Sequence, residues 1–165
     1  MMKLKTIQIK VEEYPSTEAL PVKDRELMQA AEQAMEKAYA EYSHFTVGAA
    51  LRLANGKVIS GNNQENAAYP SGLCAERVAL FYARSQYPDV AIESLAITAQ
   101  AEGFTMHDAV APCGACRQVM AEYQTQQKQN MRVIMKGQEG PILAVGSVNA
   151  LLPFMFHVEE LKKKK

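Results

Sequence analysis

The sequence predicts an α/β fold in which one β-sheet carries helices on both faces. Three observations carry that expectation. Helical and strand patterns alternate along the chain in the order helix, hairpin, helix, strand, helix, strand. The strand candidates are short apolar runs bounded by turn residues, and the helix candidates are apolar on one side only. The 165 residues, 48% of them hydrophobic and with a formal net charge of zero, suit one domain of ordinary size.

Each element has a local reason. Residues 3 to 11, within "MMKLKTIQIKVEEY", alternate apolar and polar side chains and read as a strand. "YPSTEALPVKD" is punctuated by Pro15 and Pro21 and reads as a connector. Asp24 then serves as the expected N-cap of a helix whose stripe is Leu27, Ala31, Ala34 and Ala38, with Met28, Met35 and Tyr42 beside it. "TVGAALRLANGKVISGNN" reads as a hairpin, Asn55-Gly56 supplying the positive φ angles of a type I′ turn. "GNNQENAAYPSG" is a loop with more polar groups than a connector needs. "CAERVALFYARSQ" is helical in pattern until Pro88, "ESLAITAQ" reads as a buried strand, "CGACRQVMAEYQTQ" as a helix and "MRVIMK" as a strand. "PILAVGSVNALLPFMF" gives a short strand, a short helix and an apolar end.

Several classes of function are excluded. Without a basic surplus, phosphate neutralisation has no footing, so no stable nucleic-acid partner is expected. No window reaches the run of roughly 18 apolar residues that a membrane span needs. The N-terminus lacks the solid apolar core of a signal peptide, and a cytoplasmic location is expected. In a reducing compartment, three cysteines argue for metal or catalytic chemistry over disulfides.

Those cysteines are Cys74, Cys113 and Cys116, each at or near an expected helix start. A Cys-x-x-Cys pair opening a helix has three common meanings: a dithiol redox centre, half of a structural zinc knot, or half of a catalytic zinc site. Unpaired N–H groups and the helix dipole favour thiolates at such positions. Two helix starts brought together would present three thiolates to one Zn²⁺, and none of His44, His107 and His157 has ligand spacing. Three protein ligands with an open position mark a catalytic zinc, whereas structural sites close with four. Glu76, two residues after Cys74, is placed to exchange protons with the zinc-bound water. Three thiolates leave the ion with net negative charge, which Arg77 and Arg117 are expected to temper by hydrogen-bonding ligand sulfurs. Cys-Ala-Glu followed by Pro-Cys-x-x-Cys is moreover a signature of zinc nucleobase deaminases.

The sequence resembles the small, homotetrameric cytidine deaminases with three cysteine zinc ligands. The resemblance is carried by "AYAEYSHFTVGAALRL", "GNNQENAAY", "CAERVAL", "PCGACRQVMAEY" and "LLPFMF", in family order. It implies a three-layer α/β/α fold around a mixed central β-sheet, with residues 1–23 an N-terminal extension, 24–158 one catalytic domain and 159–165 a basic tail. It implies hydrolysis of cytidine and deoxycytidine to uridine and deoxyuridine in pyrimidine salvage, ammonia being released and hydroxide on the zinc attacking C4. One zinc per subunit would be held by Cys74, Cys113 and Cys116, with Glu76 shuttling protons. Backbone around Ala75 and Cys113 would contact the base, Asn63 and Glu65 would hold the ribose 3′ hydroxyl, and Phe45 would pack on the pyrimidine ring. Tyr69, Phe154 and Phe156 would lie near subunit contacts, with Tyr69 divided between core packing and the substrate. Glu41, Gln64, Ala68 and Ala111 depart from the family pattern without removing a catalytic group.

Plainer readings stand beside these. Phe45 could be core, Asn63 and Glu65 could satisfy a tight loop, and Arg77 could be a surface ion pair. Competing functions are another zinc deaminase, a structural zinc or RNA-binding module, and a thiol redox protein.

Overall fold

The computed structural model describes residues 1–157. Residue 158 and the expected basic tail 159–165 lie outside the described residues. Six strands, β1 (Glu12–Tyr14), β2 (Phe45–Leu53), β3 (Val58–Asn62), β4 (Ile92–Ala101), β5 (Arg132–Lys136) and β6 (Ile142–Val145), form one sheet in the order β1-β6-β5-β4-β2-β3. The sheet is mixed: β4 and β5 run parallel, and the other neighbours run antiparallel. Helix α1 (Val22–Met35) packs on one face, and α2 (Ala75–Gln86) and α3 (Gly114–Gln127) pack on the other. The expected α/β/α layering is therefore present.

The pleat sorts the core. Leu51, Leu95, Ile97 and Val133 face α2 and α3, whereas their neighbours Ala50, Ala96 and Ile134 face Leu27, Met28 and Ala31 of α1. Burying each large apolar side chain contributes about 1.5–3 kcal/mol. On the α2 side, Gly61 of β3 permits a close approach. A Cβ there would stand 2.7 Å from both the Ala75 carbonyl oxygen and the Ala79 nitrogen. The bare backbone lets the first turn of α2 lie directly on the sheet.

Three local expectations are corrected. Residues 3–11 form no strand; only Glu12–Tyr14 pairs, antiparallel to Ile142–Ala144. The alternation continues upstream, but β6 ends at Val145, so the arm has no ladder to join. The hairpin turn is not type I′. Gly56 alone has positive φ, at 83°, and Asn55 does not. Gly56 N donates to Leu53 O and Leu53 N to Lys57 O, the pattern of a tight turn closed by a left-handed glycine. Helix α1 starts three residues early, with Pro21 as N-cap and Asp24 inside the first turn.

Asp24 is recruited by a partner far along the chain. Arg132 donates from Nε to Asp24 Oδ2 at 2.8 Å, and from Nη1 and Nη2 to the two Glu12 oxygens at 2.8 and 2.7 Å. One guanidinium thus ties β1 and α1 to β5. The hydrogen bond from Arg132 holds the Glu12 carboxyl down at about 2, against an ordinary 4.5. Because the folded value is depressed, this pair stabilises fully above pH 4.5 and fades as pH falls toward 2.

A second buried tie holds the far end of α3. Gln124 Nε2 donates to Ser147 Oγ and Asn149 Oδ1, each at 3.0 Å, while Oε1 accepts from Met131 N at 2.9 Å and Val148 N at 3.0 Å.

Two predictions follow from these ties. Gln124→Leu leaves two buried N–H groups unpaired and should cost about 2–5 kcal/mol; a denaturation midpoint close to the parent's would contradict the tie. Amide exchange at Tyr14 should accelerate as pH falls from 4.5 toward 2, relative to the core strands. Glu12→Gln should remove that dependence, and its persistence in the variant would assign it to another group.

Candidate active site

Helices α2 and α3 begin at one place. Cys74 is the N-cap of α2, Cys113 is the N-cap of α3, and Cys116 lies in the first turn of α3. The Cys74 and Cys113 sulfurs are 3.8 Å apart, those of Cys113 and Cys116 3.5 Å, and all three lie within 4.8 Å of one another. Sulfurs bound to one tetrahedral zinc at about 2.3 Å sit about 3.8 Å from each other. A disulfide would bring two of them to about 2.05 Å. The donor set fits zinc. Among the described residues, these three are the one His/Cys/Asp/Glu cluster that could hold a metal ion. His44 and His107 instead face Glu102 and Glu139.

The charges around the sulfurs are arranged for thiolates. The Cys74 thiol is pulled down to about 5 by a hydrogen bond from Cys116, with Arg77 and Cys113 adding to it. Arg77 Nη2 donates to Cys74 Sγ at 3.5 Å, as the sequence suggested. Cys116 is pushed the other way, because it gives its proton to that bond and is buried beside the charge on Cys74. A divalent cation reverses this, since a coordinating thiol loses its proton outright. Glu76, 4% exposed, has its carboxyl pushed up by burial. A buried carboxyl that binds a proton more readily than usual is suited to taking and returning one.

The centre opens into a cavity of about 770 Å³, within the usual range of small-molecule sites. Of the expected site residues, Phe45, Asn63, Glu65, Tyr69, Cys74, Glu76, Arg77 and Cys113 line it. Phe45 is the first residue of β2, and Asn63 and Glu65 follow the end of β3. Ala75 is fully buried as the first residue of α2. Tyr69 is 76% exposed and meets Tyr42 edge to face, with ring centroids 6.1 Å apart.

Other expected residues have different partners. Arg117 does not reach a sulfur with its donors; Nε donates to Pro112 O at 2.8 Å and Nη1 to Leu151 O at 2.9 Å. It fixes the backbone just before Cys113 to the C-terminal segment. Asn63 accepts from Val47 N at 2.7 Å and donates to Phe45 O at 2.8 Å, bracketing the start of β2. The loop-tying reading of Asn63 is thus realised, alongside its place on the cavity. Phe154 and Phe156 are 86% and 71% exposed and lie outside the cavity lining. Tyr42 and Ser43 are among the lining residues for which the sequence gives no site role. The signal available was a hydroxyl two residues before Phe45, where serine commonly closes a local turn.

Comparisons with known proteins agree with this geometry. The family model for the "Cytidine and deoxycytidylate deaminase zinc-binding region" matches residues 21–131. A cytidine deaminase of Halalkalibacterium halodurans is 43% identical over 137 residues, covering 82% of this chain and 95% of that protein. One from Sporosarcina psychrophila is 41% identical over 135 residues, covering 82% and 92%. The crystal structure of cytidine deaminase from Burkholderia pseudomallei superposes with a TM-score of 0.69 at 41% identity, covering 79% of this chain and 97% of that one. That from Mycobacterium tuberculosis gives 0.65 at 30% identity, covering 84% and 100%.

Elemental analysis of the purified protein should find one zinc per chain. Cys116→Ser should reduce that content sharply while the helical signal in circular dichroism persists. Full zinc retention in the variant would remove Cys116 from the donor set.

Proposed function

The chain belongs to the cytidine and deoxycytidylate deaminase family, and we propose that it hydrolyses cytidine and deoxycytidine to uridine and deoxyuridine. Zinc-dependent hydrolytic deamination is the family's reaction. The observation that carries the reading here is a cluster of three sulfurs beside one buried carboxyl, opening through Cys74, Cys113 and Glu76 into a single cavity.

Cys74, Cys113 and Cys116 would hold the ion. When bound, zinc supplies Lewis-acid activation of water near neutral pH. The chain's own groups account for the rest. Glu76 accepts a proton from the attacking water and passes it to ring N3 as the oxygen bonds to C4. It then takes the remaining proton from the hydroxyl now on C4 and delivers it to the exocyclic amine, so the C4–N bond breaks, the C4 carbonyl forms and ammonia leaves. Water and cytidine are consumed, uridine and ammonia are formed, and Glu76 returns to its starting state. Burial favours this cycle, because an undersolvated carboxyl accepts the first proton readily.

Substrate positioning is assigned by the matching motif. Phe45 packs on the pyrimidine ring, backbone at Ala75 and Cys113 meets the base edge, and Glu65 with Asn63 holds the sugar. Tyr69, Phe154 and Phe156 belong to contacts between subunits of a homotetramer. Their exposure supports this, since large apolar groups at the surface mark interaction sites. No described helix is long and apolar enough to cross a membrane, and a cytoplasmic site of action is part of the proposal.

Turnover should be compared on cytidine, deoxycytidine, cytosine, deoxycytidylate and blasticidin S. The two nucleosides should be deaminated; activity confined to the other three would overturn the assignment. Glu76→Ala should retain zinc and lose about 10²-fold or more in rate. Parent-like turnover with full zinc would remove Glu76 from the proton path. Light scattering should give four chains per particle, and a stable monomer with full activity would refute the tetramer.

A further inference from the structure

Four hydrogen bonds converge on the turn that leads into β2. Ser43 Oγ donates to Glu65 Oε1 and accepts from Phe45 N at 3.1 Å. Glu65 Oε2 also accepts from Tyr42 N at 2.8 Å and Ser43 N at 3.2 Å. A hydroxyl has one proton to give, and Ser43 gives it to Glu65. The same oxygen receives the amide of Phe45, so one atom links the Glu65 carboxylate to the Phe45 backbone, joining the two residues assigned to the sugar and the ring.

The backbone is bent to make this possible. His44, between Ser43 and Phe45, has φ of 53°, a left-handed conformation that few residues other than glycine adopt, histidine, asparagine and aspartate most readily among them. It is held there from both sides: His44 N donates to Ala40 O at 3.0 Å, and Glu102 N donates to His44 O at 3.0 Å. A carboxylate offers about four lone-pair sites. Three are used by the turn, leaving one on a residue that lines the cavity. The turn therefore fixes the carboxylate without exhausting it.

We propose that Ser43 is a positioning residue that sets Glu65 and Phe45 in one geometry, coupling recognition of the sugar hydroxyl to stacking on the base. This rests on the assignment of Glu65 to the sugar. Ser43 touches neither the metal-binding sulfurs nor Glu76, so its influence falls on binding before it falls on chemistry.

The test is steady-state kinetics on cytidine and 3′-deoxycytidine for the parent, Ser43→Ala, Ser43→Thr, Glu65→Gln and the Ser43→Ala/Glu65→Gln double variant. Ser43→Ala should raise KM for cytidine about tenfold, the size expected on losing a hydrogen bond to a charged group. Its kcat should stay within about threefold, and Ser43→Thr should restore KM. In the Glu65→Gln background, and on 3′-deoxycytidine, the sugar part of the Ser43→Ala effect should be lost, leaving a smaller residual effect that comes through Phe45. Unchanged KM on cytidine would overturn the inference. So would an equal loss of kcat on both substrates with a lowered Tm, the mark of a role in folding alone. If Glu65→Gln itself treats cytidine and 3′-deoxycytidine as the parent does, the sugar assignment fails first, and the coupling with it.

Discussion

The site depends on two helices starting within the reach of one small cation. Helix α2 and helix α3 come from distant parts of the chain, yet their N-termini place three sulfurs within 4.8 Å. Crowding three thiolates this way is unfavourable without a counter-charge. Two helix N-termini, Arg77 and the ion itself supply it. The fold is the means of maintaining that approach. Gly61 lets the first turn of α2 rest on β3, and the β4–α3–β5 unit carries the other two sulfurs against the same face of the sheet.

The surrounding ties serve the same end. Arg117 anchors the carbonyl of Pro112 and so orients the residue preceding Cys113. Gln124 fastens the far half of α3 to the segment after β6. Asn63 brackets the start of β2, and Glu65 braces the turn before it. The cavity wall is thus built from hydrogen bonds made within the chain itself, as a preformed small-molecule site requires.

Much of this was legible in the residues. Both cysteine-bearing helices, the buried strands and the acidic residue beside Cys74 follow from apolar period, helix-start chemistry and ligand spacing. What failed depended on partners outside the local window. Residues 3–11 have strand alternation, but a strand needs an edge, and β6 stops at Val145. Asp24 looked like a cap because nothing nearby reveals that Arg132 would claim its carboxylate. Asn55-Gly56 announced a turn correctly, but its type required the actual φ of Asn55. Arg117 is adjacent to a ligand in sequence, yet its helical position aims the guanidinium at carbonyls. The sequence alone gives Ser43 no site role, because its two partners, one of them 22 residues away, meet only in the folded turn.

In the proposed site three cysteine sulfurs, and no fourth protein donor, hold one zinc beside Glu76. X-ray absorption at the zinc edge of the purified protein tests it most directly. Three sulfur neighbours at about 2.3 Å and one lighter neighbour are expected. A shell of four sulfurs, or of two or fewer, would contradict it.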